Sequence, residues 1–165
     1  MSETKIAHFV FNGAANDYLE AAENYNRDFN ATTGKTGTDI VRAADKLCET
    51  FAGLWENAEE AQTKETLENA LCETLLHTAG KSLHAGDTYE LLWQGHAMRR
   101  MFNRLAAEET RPFLAKDNVE KIGDISERMT DRALADNSIN GYGRALRETA
   151  ITLRSFVAVL KPSSL

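Results

Sequence analysis

Proline, cysteine and long apolar runs are scarce in this sequence, and each scarcity excludes a class of structure. Only Pro112 and Pro162 occur among the 165 residues, so the first 111 residues contain no proline. Proline costs about 3 kcal/mol in a helix interior, so long stretches without it permit long helices. Runs of alternating β-branched and aromatic residues are missing too, apart from residues 6–11. The sequence therefore argues against an all-β fold.

Cysteine occurs at two positions, Cys48 and Cys72. These residues do not form a Cys-x-x-Cys pair, which excludes a zinc ribbon and a thioredoxin-like redox motif. Both fall on apolar stripes of predicted helices. We therefore expect two reduced thiols that pack in the core like small apolar side chains.

The longest apolar runs are far shorter than the roughly 18 residues that a membrane-spanning helix needs. Residues 1–5 also lack the basic start that precedes the apolar stretch of a secretory signal. We therefore expect a soluble protein that does not enter a membrane and is located in the cytoplasm.

Helix-forming residues dominate what is present. Alanine, which has the best helix propensity, occurs 23 times, and 42% of the residues are hydrophobic. Apolar positions recur with the helical period in six segments. These segments cover residues 14–29, 38–58, 63–80, 87–105, 117–134 and 145–160. The pattern predicts an all-α fold, in which residues 1–165 form a single helical domain of five to six helices.

Local signals place the ends of these helices. Thr38 and Thr63 are predicted N-caps, and residues 87–90 and 117–120 have the spacing of capping boxes. Residues 1–13 are predicted to be a short apolar arm, in which residues 6–11 form either a strand or an extended arm ended by Asn12 and Gly13. Residues 30–38 are predicted to be a polar loop. Residues 136–143 form either a loop or a weakened helix start.

Charge is distributed unevenly around the formal net charge of −6. Residues 39–76 carry nine acids and three bases, whereas residues 99–165 carry twelve bases and nine acids. The acidic unit favours attraction to a basic surface on a partner protein, mimicry of a nucleic-acid backbone, or a plain solvated surface. Its candidate partner-binding residues span the end of one predicted helix and the start of the next. They are Glu56, Glu59, Glu60 and Glu68.

Two arginine clusters form the basic side. Arg144, Arg147 and Arg154 fall within an arc of about 80° on the last predicted helix, from the 100° step per residue. Such a stripe suits phosphates or a partner's carboxylates, although salt-bridged helix faces give the same pattern. Arg99, Arg100 and Arg104 form the second cluster.

Residues 124–145 also show a faint helix-turn-helix pattern with a break near Thr130. Glycines in its second helix make that helix poorly suited to rigid binding in the major groove of DNA.

Motifs for catalysis and for cofactors are missing. Gly34, Lys35 and Thr36 resemble the end of a phosphate-binding loop, but Phe29 stands where that motif needs its first glycine. No serine has a Gly-x-Ser-x-Gly context. His77, His84 and His96, with Asp87, are weak candidates for a zinc site. We therefore predict no cofactor and no firm metal ligand.

These observations favour a non-catalytic helical protein that binds another protein, as an adaptor, an inhibitor or a regulatory subunit. The expected partner has a basic surface, and association into a homo-oligomer is a further expectation. One alternative is a nucleic-acid-associated protein that uses the C-terminal arginine stripes, although general acidity disfavours phosphate contacts. Another alternative is a helical bundle that binds a metal or a small ligand.

Overall fold

The computed structural model describes five stretches of the chain: residues 2–25, 35–84, 88–107, 116–136 and 141–159. Six helices occupy nearly all of them. They are α1 (Glu3–Glu23), α2 (Gly37–Asn57), α3 (Ala61–Leu83), α4 (Thr88–Ala107), α5 (Lys116–Ala135) and α6 (Tyr142–Val159). The prediction of an all-α helical bundle is confirmed. None of the helices in these stretches is both long and apolar enough to cross a bilayer.

The N-terminal segment differs most from the prediction. Residues 6–11 are neither a strand nor an arm, because they lie inside α1. The side chain of Ser2 begins this helix by accepting a hydrogen bond from the backbone N–H of Lys5 at 3.2 Å. Phe11 and Tyr18 are fully buried. Burial of this face outweighs the low helix propensity of Gly13, which is exposed on the opposite side of α1.

The start of α2 also differs from the prediction. Thr36, rather than the predicted Thr38, is the N-cap, and it forms a reciprocal capping box with Asp39. The backbone N–H of Thr36 donates to Asp39 Oδ2 at 2.8 Å, and that of Asp39 donates to Thr36 Oγ1 at 3.2 Å. The predicted loop over 30–38 is therefore two residues too long at its end, since Gly37 is already helical. Residues 30–34 lie outside the described stretches.

Other predicted helix ends differ from those in the structure or lie outside the described residues. Thr63 does not cap α3, which begins at Ala61, but is buried within its first turn beside Thr4. Gly80 lies inside α3 rather than at its end. Asp117 lies in the first turn of α5, one residue after its start. The capping box over 87–90 cannot be followed, because Asp87 lies outside the described residues.

Three pairs of neighbouring helices run parallel: α1 with α3, α2 with α4, and α4 with α6. In each pair, one contact joins residues nearer the starts of both helices, and a second contact joins residues nearer their ends. The contacts are Thr4–Thr63 and Glu23–Lys81 for α1 and α3, Gly37–Trp93 and Glu49–Arg104 for α2 and α4, and Gly95–Thr149 and Phe102–Phe156 for α4 and α6.

Consecutive helices run in opposite directions, as short connections require. The turn between α5 and α6 is closed by a 2.9 Å hydrogen bond from the backbone N–H of Gly143 to Asp136 Oδ2. Further along, Arg154 of α6 reaches back to Thr130 of α5. The helices thus form two layers, α1–α3–α5 and α2–α4–α6, which close where α1 packs on α2 and α5 packs on α6.

The core lies between these layers. Its largest fully buried side chains include Phe11, Tyr18, Ile40, Leu47, Phe51, Leu67, Leu71, Leu75, Leu91, Met98, Met101 and Phe156. Helix α3 contacts α1, α2, α4 and α5, and it buries hydroxyl groups as well as apolar side chains. Thr74 and Thr78 donate to the carbonyls of Ala70 and Thr74 at 2.9 and 3.0 Å, which satisfies both buried hydroxyls within the helix.

Both cysteines are free and buried, as predicted. Burial raises the pKa of Cys48 and the pKa of Cys72 to about 12 each. Their sulfurs lie near backbone carbonyls, 4.0 Å from Met101 O and 3.8 Å from Asn118 O. The thiols are therefore neutral packing groups at pH 7 rather than nucleophiles.

The contact between α2 and α4 combines close packing with ion pairs. Gly37 lies directly against the indole of Trp93, so that a Cβ there would overlap the ring. Asp45 accepts a two-pronged hydrogen bond from Arg100, at 3.2 and 2.8 Å, and lies 3.6 Å from Arg104. These guanidinium groups hold the pKa of Asp45 below its usual value, with the Arg100 hydrogen bond as the main cause.

Replacing Gly37 with alanine tests this close approach. Overlap with Trp93 should lower the free energy of unfolding by about 1–3 kcal/mol. The matched control is Gly13→Ala on α1, where an added Cβ meets nothing within 4 Å. That change should raise stability by about 0.5–1 kcal/mol through helix propensity. Urea denaturation of both variants measures the difference, and equal stabilities would contradict the packing described here.

The ion pair at Asp45 should make stability depend on pH. A carboxyl with a lowered folded pKa stabilises the fold above its unfolded pKa of about 3.9, and this contribution is lost as the pH falls through the folded value. Asp45→Asn should therefore lower the melting temperature at pH 6, and the gap to the wild type should shrink towards pH 3. Thermal melts followed by circular dichroism measure the gap, and a constant gap would refute the assignment.

Candidate functional site

Exposed apolar side chains concentrate on the first three turns of α1. Ile6, Phe9 and Val10 are 48%, 79% and 44% exposed. Isolated exposed apolar residues are ordinary on a protein surface, whereas a contiguous group marks an interaction site more often. The spacing of these three residues places them on one side of α1, next to its contact with α2.

A groove of about 570 Å³ runs along this contact. Small residues widen it on both helices, because Ala7 lies in its wall and a Cβ added to Gly53 would meet nothing within 4 Å. Most of its lining is apolar. The lining residues are Glu3, Ile6, Ala7, Val10, Glu49, Thr50, Gly53, Leu54, Asn57, Ala58 and Thr63.

Glu3 fixes the end of this groove. Its carboxylate accepts hydrogen bonds from the backbone N–H of Glu59, at 3.1 and 3.2 Å, and from that of Glu60 at 3.0 Å. A hydrogen bond from Thr63, followed by these backbone bonds, holds the pKa of Glu3 below its usual value. Glu3 is therefore ionised at neutral pH and ties the start of α1 to the link between α2 and α3.

The structure brings three of the four predicted docking glutamates together. Glu56, in the last turn of α2, and Glu59 and Glu60, in the α2–α3 link, are exposed beside the groove. We call these three residues the acidic rim. Glu68 is half-buried on α3, two helical turns beyond Glu60, and does not line the groove. The prediction of one shared edge therefore holds for the rim alone.

The arginine stripe of α6 lies on the outside of the bundle. Arg144, Arg147 and Arg154 are all exposed. Arg99 of α4 joins them, because Glu148 lies 3.7 Å from Arg99 and 3.5 Å from Arg144. We call these four arginines the arginine face. The other two predicted arginines turn away from it, since Arg100 and Arg104 bond to acids of α2.

A small cavity of about 160 Å³ lies between α4 and α6 beside the arginine face. Its wall includes His96, Arg99, Glu148 and Thr149. The hydroxyl of Thr149 donates to the carbonyl of Ala145 at 3.0 Å, so this buried group is already satisfied. The volume of the cavity is also smaller than that of a typical ligand pocket, which is about 300–1,000 Å³.

The predicted histidine site does not assemble in the part of the chain that the structure describes. His77 lies on α3, His84 directly follows α3 and His96 lies on α4, and all three are exposed. Across the five described stretches, no three side chains of His, Cys, Asp or Glu are placed to hold one metal ion. The fourth candidate, Asp87, lies outside those stretches.

The faint helix-turn-helix pattern over residues 124–145 is wrong. Helix α5 continues through the predicted break at Thr130 to Ala135. The hydroxyl of Thr130 donates to the carbonyl of Ser126 at 3.0 Å, so its donor is satisfied within the continuous helix. The predicted break near Thr130 is therefore absent, and residues 137–140 of the pattern lie outside the described stretches.

Sequence reasoning missed the α1 wall of the groove because it assigned residues 1–13 to an arm. The signal was present: Ala7, Phe11, Ala14 and Tyr18 repeat at helical spacing, and Ser2 is a good N-cap. Two of these four positions are alanines, which weaken the apparent stripe. Reading the stripe from Ala7 onwards would have placed Ile6 and Val10 beside it.

The chain was compared with protein families, characterised proteins and solved structures. The sequence matches no protein-family model, no characterised protein matches it, and no match was found among solved structures.

Proposed function

We propose that this protein is a non-catalytic protein-binding protein, an adaptor, inhibitor or regulatory subunit, whose α1–α2 groove takes up an apolar segment of a partner. The observation that carries the proposal is that the exposed apolar residues Ile6 and Val10 line an apolar groove, with the exposed Phe9 next to them on α1. The acidic rim then favours partners with basic residues next to the apolar segment.

Burial of the α1 side chains supplies a driving force for such binding. Full burial of an exposed Phe, Ile or Val is worth roughly 1.5–3 kcal/mol, so completing the burial of these partly exposed residues contributes about 1–2 kcal/mol each. A groove between two helices suits an amphipathic helix or an extended segment. The exposed surface of its lining is mostly apolar, although Glu3, Glu49, Thr50, Asn57 and Thr63 also line it.

The negative charge of the acidic rim and of the whole chain supports the proposal of a basic partner. The acidic rim carries three exposed glutamates within five residues, and the chain as a whole has a formal charge of −6. Clustered charge of one sign raises the association rate with an oppositely charged partner more than it raises affinity. The cytoplasmic location expected from the sequence stays a prediction.

A pulldown tests the groove. Tagged wild type is expected to retain a partner protein from native lysate, and the double variant Phe9→Gln/Val10→Gln is expected to lose it. The control Leu134→Gln changes an exposed apolar residue of α5, which is 72% exposed, and should retain the partner. Circular dichroism confirms that all variants fold. Equal retention by the double variant and the wild type would refute a role for the groove.

Charge reversal tests the acidic rim with the partner so identified. The variant Glu56→Lys/Glu59→Lys/Glu60→Lys should associate at least about tenfold more slowly at low salt, and the difference should shrink as ionic strength rises. The control Glu73→Lys/Glu120→Lys/Glu127→Lys makes the same charge change at exposed positions on α3 and α5. Stopped-flow association rates compare them. Equal slowing by both variants would mean that only net charge matters.

A further inference from the structure

We propose that the protein associates with itself head to tail, with the arginine face of one copy docked on the α1–α2 groove of a second copy. This inference rests on the proposed function, because it names a partner for the same groove. It starts from the observation that the chain itself carries a surface with the apolar and basic character that the groove and its rim require.

The arginine face has an apolar centre. On α6, Ile151 is 50% exposed and lies between Arg147 and Arg154, one turn from each. On α4, Tyr89 and Leu92 are 58% and 45% exposed on the side that faces outward with Arg99. Together with the three residues on α1 and Leu134, these are all the large apolar side chains that are exposed in the described stretches.

The two surfaces are opposite in charge. The arginine face has four guanidinium groups, of which Arg99 and Arg144 pair with Glu148 and Arg154 donates to Thr130, whereas the acidic rim has three carboxylates. Arg144 is 87% exposed and Arg99 is 51% exposed, so their pairs with Glu148 leave much of each side chain accessible. A guanidinium has five N–H donors and can bond a second carboxylate without releasing the first.

The dimensions of the two surfaces also agree. Arg144 and Arg154 are ten residues apart on α6, which corresponds to about 15 Å along the helix. The α2 wall of the groove extends from Glu49 to Asn57, eight residues or about 12 Å. The exposed side of α6 can therefore lie along the groove with Ile151 near Val10 and with arginines beside the acidic rim.

The symmetry of this contact follows from where the surfaces lie. The groove is built by α1 and α2, and the arginine face is built by α4 and α6, so the two contacting surfaces differ. Such a heterologous contact leaves one free groove and one free arginine face on every dimer. Addition of further copies then gives an open chain or a closed ring.

Two variants with complementary defects test the proposal. The groove variant is Val10→Gln/Glu59→Lys/Glu60→Lys, and the face variant is Arg144→Glu/Arg147→Glu/Ile151→Gln. Sedimentation velocity of the full chain should show wild-type association that grows with concentration and weakens between 50 and 500 mM NaCl, as expected from screening over roughly 14 to 4 Å. Each variant alone should associate at least about tenfold more weakly than the wild type.

The mixture of the two variants is decisive. The face variant keeps an intact groove, and the groove variant keeps an intact arginine face, so an equimolar mixture should form 1:1 dimers and nothing larger. Arg144→Lys/Arg147→Lys keeps the charge but loses the guanidinium fork, so it should associate more weakly than the wild type and more strongly than the face variant. Circular dichroism checks that every variant folds.

Three outcomes would overturn the proposal: a wild type that stays monomeric at all concentrations, a mixture that does not dimerise, or a face variant that still self-associates through its groove. None of these results would affect the proposed function, which is judged by groove-dependent capture of a different protein. Loss of that capture with intact self-association would refute a foreign partner and leave the head-to-tail contact standing.

Discussion

The carboxylate of Glu3 accepts hydrogen bonds from two consecutive backbone N–H groups, those of Glu59 and Glu60. Charged acceptors bind backbone N–H groups about twice as strongly as neutral ones, so a single side chain orders the junction of three helices. The start of α1 is thereby held against the end of α2 and the start of α3. The groove, its acidic rim and the exposure of Ile6 and Val10 all depend on this placement of α1.

Small residues determine how closely the helices approach. Helix α1 buries alanines at five positions, and its neighbours α2 and α3 fill the space with Phe51, Leu67 and other large side chains. The same residue type that raises helix propensity thus lets two helix backbones come close. Ala7 and Gly53 line the groove between α1 and α2, and a Cβ added to Gly53 would meet nothing within 4 Å, so small side chains leave this part of the contact open to solvent.

Periodicity in the sequence predicted the architecture because five of the six helices bury wide stripes of large apolar residues. It missed the first part of α1, because the buried stripe there is largely alanine and because Asn12 and Gly13, on the exposed side, resemble a break in the helix. It also placed the N-cap of α2 two residues after Thr36. The exposed positions of Glu56, Glu59 and Glu60 followed from the sequence. The groove did not, because periodicity assigns a face to each helix but does not say which helix will cover that face. Glu68 shows the same limit, since its half-burial on α3 depends on neighbouring helices.

The burial of both thiols has a practical consequence for chemistry at the surface. Burial raises the pKa of each native cysteine to about 12, so both thiols are neutral at pH 7. Maleimides and disulfide reagents react through the thiolate, so a cysteine introduced at an exposed position such as Phe9 should react faster than either buried native cysteine. Site-specific fluorophores or spin labels can therefore be attached to the natural sequence background, without first removing Cys48 and Cys72 from the core.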